Sequence, residues 1–232
     1  MKKRGILKGL IYMVVVFMDD DESSWTTKDI QYYKTDQITP NCNFIEAQAR
    51  KYGHTAYLIP KYFQSNEKVQ LKYKGIFDDN YYKRIDALDQ VAKCLGYKNK
   101  NEFNASIEQE TKGNQVIYMI ILNKDGHSVA YCDSINRKKD FIQHCICRNC
   151  YGSGRRKDHE GSFAHEILHL FGAEDYYKPP KIKELATKLC PNDIMLKIHD
   201  YIDMNTIDKY TAYCIGWLDD YPEQYKNTDW FK

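Results

Sequence analysis

A run of nine apolar residues near the start of the chain, Leu10 to Met18, is the feature that most restricts the fold. It is too short to cross a bilayer, because a membrane-spanning helix needs about 20 residues. It is rich in valine, and four acidic residues, Asp19 to Glu22, follow it directly. An apolar β-branched run of this length, closed by residues typical of turns, predicts a buried strand.

A second interpretation of this run is the apolar part of a signal peptide, because Lys2, Lys3 and Arg4 precede it. However, Lys8 interrupts the approach to the run, and no small-x-small cleavage site follows it. We therefore predict a strand and a cytoplasmic protein, with a secreted or delivered form as the alternative.

Strand-like and helical patterns alternate along the chain. The predicted strands are Leu10 to Met18, Ala56 to Phe63, Val69 to Phe77, Val116 to Asn123, Ser128 to Cys132 and Phe141 to Cys147. The predicted helices are Asp29 to Tyr52 with a break near Pro40, Tyr81 to Leu95, and a short helix near Ile182 to Leu189. This alternation predicts an α/β fold with a mostly parallel sheet covered by helices.

Composition excludes several classes of protein. Hydrophobic residues make up 43% of the 232 residues and aromatic residues 14%, so the chain is neither disordered nor collagen-like. Lys and Arg number 34 and Asp and Glu 32, a net charge of +2, and no large block of like charge occurs. We therefore expect no nucleic-acid partner and no membrane partner. The short basic run from Arg155 to Lys157 is interpreted as a solvated loop.

The eight cysteines are expected to be reduced thiols, because the chain is much longer than disulfide-stabilised secreted scaffolds. One group, Cys145, Cys147 and Cys150, has a spacing compatible with a structural zinc site. A fourth ligand for such a site would be Cys132 or Cys190. The alternative is that these cysteines are small core residues of a strand.

The motif H-E-x-x-H occurs at residues 165 to 169. On a helix, His165 and His169 project from one face and can bind a single Zn²⁺. Glu166 lies about 100° round the same turn. From there its carboxylate can reach a zinc-activated water without being a ligand, as a general base must. A chain of this composition contains the motif by chance only roughly 0.01 times.

The residues around the motif agree with a helix. Ser162 is the expected N-cap, and Gly172 is expected to end the helix in a left-handed turn. The remaining apolar positions are suited to packing against a core. They are Phe163, Ile167, Leu168, Leu170 and Phe171.

With Gly172 and Asp175 at fixed spacing, the motif resembles the extended zinc signature of the metzincin metallopeptidases. The match is to the snapalysin type, in which an aspartate replaces the third histidine. This resemblance implies that His165, His169 and Asp175 bind zinc. It also implies a zinc-dependent endopeptidase that acts on a peptide or protein substrate, with Glu166 as general base.

Downstream, the segment from Cys190 to Met195 resembles the Met-turn of the same family. There the methionine lies beneath the zinc as packing. The resemblance implies a zincin-like α/β (α+β) fold with one antiparallel edge strand, an active-site helix and a small irregular C-terminal subdomain. Residues 1–232 would form one catalytic domain, with subdomains of about 1–172 and 173–232. It also implies that substrate pairs with an edge strand, for which Gly126 to Tyr131 is the candidate and an ordinary hairpin arm the alternative.

The chain departs from the family in one further respect. Lys197 stands where several metzincins have a tyrosine, two residues after the methionine. Tyr177, two residues after Asp175, is our candidate for stabilising the oxyanion, and an exposed loop tyrosine is the alternative.

Two other functions remain open at this point. The first is a gluzincin-type peptidase, whose third ligand would be Glu184 on a later helix. The second is a non-catalytic, zinc-dependent module that binds peptides.

Overall fold

A computed structural model of the protein describes residues 6–78, 80–132, 142–150 and 161–226. The strands are β1 (Gly9–Met18), β2 (Ala56–Phe63), β3 (Gln115–Asp125), β4 (Val129–Tyr131) and β5 (His144–Cys150). The helices are α1 (Thr27–Tyr32), α2 (Thr39–Lys51), α3 (Tyr81–Cys94), α4 (Lys100–Glu110), α5 (Ser162–Leu170), α6 (Pro180–Leu189), α7 (Lys209–Cys214) and α8 (Glu223–Lys226). A π-helical segment, Tyr33–Ile38, lies between α1 and α2, and a 3₁₀ turn, Ile202–Met204, precedes α7.

The five strands form one sheet in the order β2-β1-β3-β5-β4. Strand β3 pairs in parallel with both β1 and β5, and β4 pairs with β5 in the antiparallel direction. The sheet is therefore mostly parallel with one antiparallel edge strand, and helices alternate with its strands. This confirms the predicted α/β class, and the edge strand lies where the sequence places it.

Contacts divide the chain into two compact units. The sheet unit comprises residues 10–35 and 58–158, and the motif unit comprises residues 1–9, 36–57 and 159–232. Helix α5, which carries H-E-x-x-H, thus belongs to the same unit as the C-terminal segment. The single catalytic domain with subdomains 1–172 and 173–232 stays a prediction, since these units divide the chain elsewhere.

Apolar side chains cover both faces of the sheet within the sheet unit. On one face, alternate residues of β1 and β3 pack against α3 and α4 in a single buried cluster, which includes Val14, Val16, Tyr118, Ile120, Leu88, Val91, Phe103 and Ile107. On the other face Phe17 contacts Trp25 edge-on, and Trp25 in turn contacts Tyr33. Strands buried on both faces explain the nearly continuous apolar runs of the sequence.

Most predicted elements occur within one to three residues of their expected bounds, but one predicted strand is wrong. Residues 69–77 form no strand and make only one isolated bridge, between Lys72 and Asp19. Leu71, Tyr73 and Phe77 are buried as the alternating pattern requires, yet Gly75 adopts a φ of 91°, which is not an extended conformation and interrupts the segment. Helix α4 has no counterpart among the predicted elements.

Parts of three predictions lie outside the described residues. These are the start of the predicted strand at Phe141, the basic run from Arg155 to Lys157, and the side chain of Cys150 in the possible zinc group. Within the described ranges, none of the helices combines the length and apolar character needed to cross a bilayer.

A buried carboxylate closes the carboxyl end of β1. Asp20 accepts hydrogen bonds from Lys124 Nζ at 2.6 Å and from the backbone N–H of Phe77 at 2.8 Å. It also accepts from both the backbone and the hydroxyl of Ser23. Burial by itself raises the pKa of Asp20, but these hydrogen bonds outweigh it and lower the pKa to about 2.

We expect this carboxylate to make stability depend on pH. Because its folded-state pKa is below the ordinary value near 4, its contribution is complete above about pH 4 and is lost as pH falls towards 2. The shift corresponds to about 2 kcal/mol. Urea unfolding should therefore show a smaller loss between pH 4 and pH 2 for Asp20→Asn than for the wild type. Equal losses in both proteins would contradict this assignment.

A side chain from α2 caps the helix that carries the motif. Asn41 Oδ1 accepts a hydrogen bond of 2.7 Å from the backbone N–H of Ala164, and Asn41 Nδ2 donates to Gln37 O. The prediction that Ser162 is the N-cap is wrong. The N-cap residue is Gly161, which has no side chain, so no side-chain hydrogen bond is made from the N-cap position. The first turn is buried, so a partner from another helix replaces a local cap.

Removal of this cap should destabilise the protein. Asn41→Ala leaves a buried backbone N–H of α5 without its acceptor, which costs about 1–3 kcal/mol. Chemical unfolding should show a lower midpoint for this variant. The control is Asn101→Ala on the exposed surface of α4, which we expect to change stability by less than about 0.5 kcal/mol. Equal midpoints for Asn41→Ala and the wild type would show that the cap contributes nothing.

Candidate metal centre

Helix α5 brings the two histidines of the motif together as predicted. Their ring centroids lie 4.7 Å apart with the ring planes almost perpendicular, and the two Nε2 atoms are 3.1 Å apart. The helix ends at Leu170, and Gly172 has a φ of 111°. The left-handed turn expected at Gly172 is therefore present, and it directs the chain back towards the histidines.

Backbone carbonyls fix the orientation of both rings. His165 Nδ1 lies 3.0 Å from Ile194 O, and His169 Nδ1 lies 2.9 Å from Ala173 O. A carbonyl oxygen can only accept, so each Nδ1 carries the proton. In the neutral imidazole each Nε2 then presents an unshared electron pair. Such second contacts are the usual way in which proteins orient metal-binding histidines.

Asp175 completes a group of three potential ligands. Its Oδ1 atom lies 3.2 Å from His165 Nε2 and 3.0 Å from His169 Nε2. Burial by itself raises the pKa of Asp175, but a proton on either imidazole, hydrogen-bonded to Oδ1, outweighs it and holds that pKa well below its usual range. The carboxylate is therefore ionised at neutral pH. Among the described residues, this is the one cluster of His, Cys, Asp or Glu side chains with the spacing of a metal site.

Three electron pairs converge on one point in this group, and the arrangement needs a cation there. A proton on one imidazole or a metal ion can supply the charge. Ligands 2.0–2.2 Å from a tetrahedral zinc ion are separated by roughly 3.3–3.6 Å, slightly more than the separations of 3.0–3.2 Å found here. Two imidazoles with a carboxylate are also a known donor set of catalytic zinc sites. The residues therefore fit zinc.

Glu166 lies beside this group without joining it. The residue is 7% exposed, and its Oε2 atom is buried with no hydrogen-bond partner among the described residues. Burial raises the pKa of Glu166 to about 7; His165 and Lys178 act to lower this pKa, and Asp175 acts to raise it. A buried carboxylate oxygen without a hydrogen-bond partner is costly unless a ligand or water uses it. It matches the requirement for a general base.

Tyr177 and Lys178 lie on the solvent side of the site. The Tyr177 ring stacks against His165 with centroids 6.3 Å apart, and the residue is 44% exposed. The position agrees with the predicted role at the oxyanion, which stays a prediction. Lys178 forms an ion pair with Asp175 Oδ2, a contact that the sequence analysis missed. The i, i+3 spacing of the opposite charges of Asp175 and Lys178 is the feature of the sequence that could have predicted this contact.

The predicted Met-turn adjoins the ligands through its backbone. Met195 is fully buried, and its carbonyl accepts a hydrogen bond of 2.9 Å from Tyr176 N–H. The neighbouring carbonyl, Ile194 O, orients His165. A Cβ atom on Gly161 would lie 3.2 Å from Ile194 Cδ1 and 3.0 Å from Ile198 Cγ2. The start of α5 therefore approaches this turn closely.

A buried carboxylate holds the turn in shape. Asp193 is fully buried, and its two oxygens accept from the backbone N–H groups of Met195 at 2.7 Å and Asp208 at 2.6 Å. It also accepts from Thr211 Oγ1 at 2.9 Å, and the same hydroxyl bonds Tyr176 OH. Burial raises the pKa of Asp193 to about 7 although these hydrogen bonds act to lower it. The sequence analysis placed Asp193 in the turn and gave it no role.

Among the described residues, the alternative ligands form no group with the histidine pair that has the spacing of a metal site. Glu184 is exposed on α6 and pairs with Lys188 at 2.7 Å. Cys145 and Cys147 are buried on β5 with Sγ atoms 4.0 Å apart. In the part of the chain that the structure describes, the cysteines form no group of three ligands. A site that includes Cys150 depends on a side chain that the structure does not describe.

Comparison with known proteins gives no family assignment. No protein-family model matches the chain, and the curated proteins contain no match to it.

We expect the purified protein to bind one zinc ion per chain, measured by elemental analysis after dialysis. His165→Ala, His169→Ala and Asp175→Ala should each lose it, because two protein ligands hold zinc far more weakly than three. Glu184→Ala and His127→Ala, which alter an exposed acid and an exposed histidine, should retain it.

Two results would contradict this site. Loss of zinc in Glu184→Ala with retention in Asp175→Ala would identify Glu184 as the third ligand. Two zinc ions per wild-type chain would point to a second site at the cysteines.

Proposed function

We propose that this protein is a zinc-dependent endopeptidase of the metzincin type. One observation carries the proposal. Two imidazoles, each with Nδ1 bonded to a backbone carbonyl, lie with Nε2 within 3.0–3.2 Å of an ionised carboxylate oxygen. Beside them is the buried Glu166, whose Oε2 atom has no hydrogen-bond partner among the described residues. A structural zinc site would have four protein ligands and no need of such a glutamate.

Metal binding and proton transfer would belong to different residues of the site. His165, His169 and Asp175 would hold the metal. When bound, zinc lowers the pKa of water and polarises the scissile carbonyl. Glu166 accepts a proton from the attacking water and returns it to the leaving amine.

Position favours Tyr177 for the oxyanion. Its ring stacks on that of His165 with centroids 6.3 Å apart, and its partial exposure allows a substrate to reach it. A phenol hydroxyl can donate to the developing negative charge of a tetrahedral intermediate. The peptide substrate, the zincin-like details of the fold and residence in the cytoplasm remain part of the proposal.

Glu166→Gln tests this function most directly. Hydrolysis of a broad peptide library, followed by mass spectrometry, should fall by about 10²–10⁴-fold because the amide cannot accept the proton. Bound zinc should remain at one per chain, because Glu166 is not a ligand. The matched control is Glu184→Gln, which removes the same charge from an exposed helix position and should leave the rate unchanged.

The result distinguishes the two classes of function. Unchanged hydrolysis in Glu166→Gln would contradict the mechanism. A wild type that binds zinc and peptides yet cleaves nothing in the library would favour a peptide-binding module instead.

A further inference from the structure

The two oxygens of Asp175 have different partners. Oδ1 faces the histidine pair, at 3.2 Å and 3.0 Å from the two Nε2 atoms, whereas Oδ2 forms an ion pair with Lys178 Nζ. The same ammonium group lies 5.6 Å from the centroid of the Tyr177 ring. Lys178 therefore contacts Asp175, a candidate ligand, and Tyr177, whose ring stacks on the candidate ligand His165.

This arrangement restricts how the carboxylate can bind a metal. A carboxylate can bind a cation through one oxygen or both, and the two modes differ in geometry and in the charge delivered. With Oδ2 committed to the ammonium group, only Oδ1 is presented to the histidines. The ammonium also offsets part of the negative charge that an aspartate brings in place of a neutral histidine.

Burial distinguishes this ion pair from an ordinary surface pair. The Asp175 side chain is 9% exposed and that of Lys178 is 68% exposed, so the lysine reaches inward from solvent to a nearly buried carboxylate. The pair between Lys188 and Glu184 has side chains that are 66% and 71% exposed. Pairs of the second kind contribute little, whereas contacts to a metal ligand commonly change metal affinity by about 10–100-fold.

We propose that Lys178 is a positioning residue that keeps Asp175 bound to the metal through one oxygen. This inference rests on the proposed zinc site. It assigns to Lys178 no contact with substrate and no proton transfer.

The experiment compares Lys178→Met, Lys178→Gln and Lys178→Arg with Lys188→Met as the matched control. Zinc affinity is measured by competition with a chromogenic chelator, and coordination by the visible absorption of the Co²⁺-substituted protein. We expect Lys178→Met and Lys178→Gln to bind zinc about tenfold more weakly and to show a changed Co²⁺ spectrum. Lys178→Arg, which keeps the charge and the donors, should restore most of the affinity and the wild-type spectrum.

Several outcomes would overturn the inference. Wild-type affinity and spectrum in both Lys178→Met and Lys178→Gln would show that the ion pair does nothing for the metal. Equal weakening in Lys188→Met would show a general charge effect. A wild type that binds no zinc would overturn the proposed function itself, whereas a wild type that binds zinc and cleaves peptides would leave that function intact even if Lys178 proved irrelevant.

Discussion

The candidate site depends on two backbone carbonyls, those of Ala173 and Ile194. Each accepts a hydrogen bond from Nδ1 of one histidine, and this turns both Nε2 atoms towards Asp175. Without these contacts the rings could rotate, and the H-E-x-x-H spacing alone would not bring the electron pairs together. Because the orienting atoms belong to the main chain, the geometry of the site comes from the course of two loops, and no side-chain substitution removes the acceptor directly.

Those loops are held in turn by buried polar groups. Asp193 fixes the turn around Met195 and reaches Thr211 on α7, whose hydroxyl contacts Tyr176 next to Asp175. Tyr176 N–H also bonds the Met195 carbonyl. The ligand loop and the turn are therefore joined by both backbone and side-chain bonds. Buried networks in which every polar atom has a partner favour a single arrangement of the chain, as a metal site requires.

The sequence predicted those features that depend on residues close together in the chain. The apolar runs predicted β1 and β3 because strands buried on both faces need apolar residues at every position, and the four-residue spacing predicted the pairing of His165 and His169. What was missed depends on contacts between residues distant in sequence. The acceptor that caps α5 is Asn41, 123 residues earlier in the chain, and no pattern around Ser162 reveals it. The segment 69–77 alternates like a strand because a loop that packs on a core also buries alternate side chains.

Gly161 links the start of α5 to this arrangement. Its missing side chain makes room for Ile194 and Ile198, and Ile194 also supplies the carbonyl that orients His165. A methyl group at position 161 would press on Ile194, the residue whose carbonyl orients the ring of His165. A residue that binds nothing thus sets how closely the helix and the turn approach each other, and a larger side chain there would require Ile194 or Ile198 to shift.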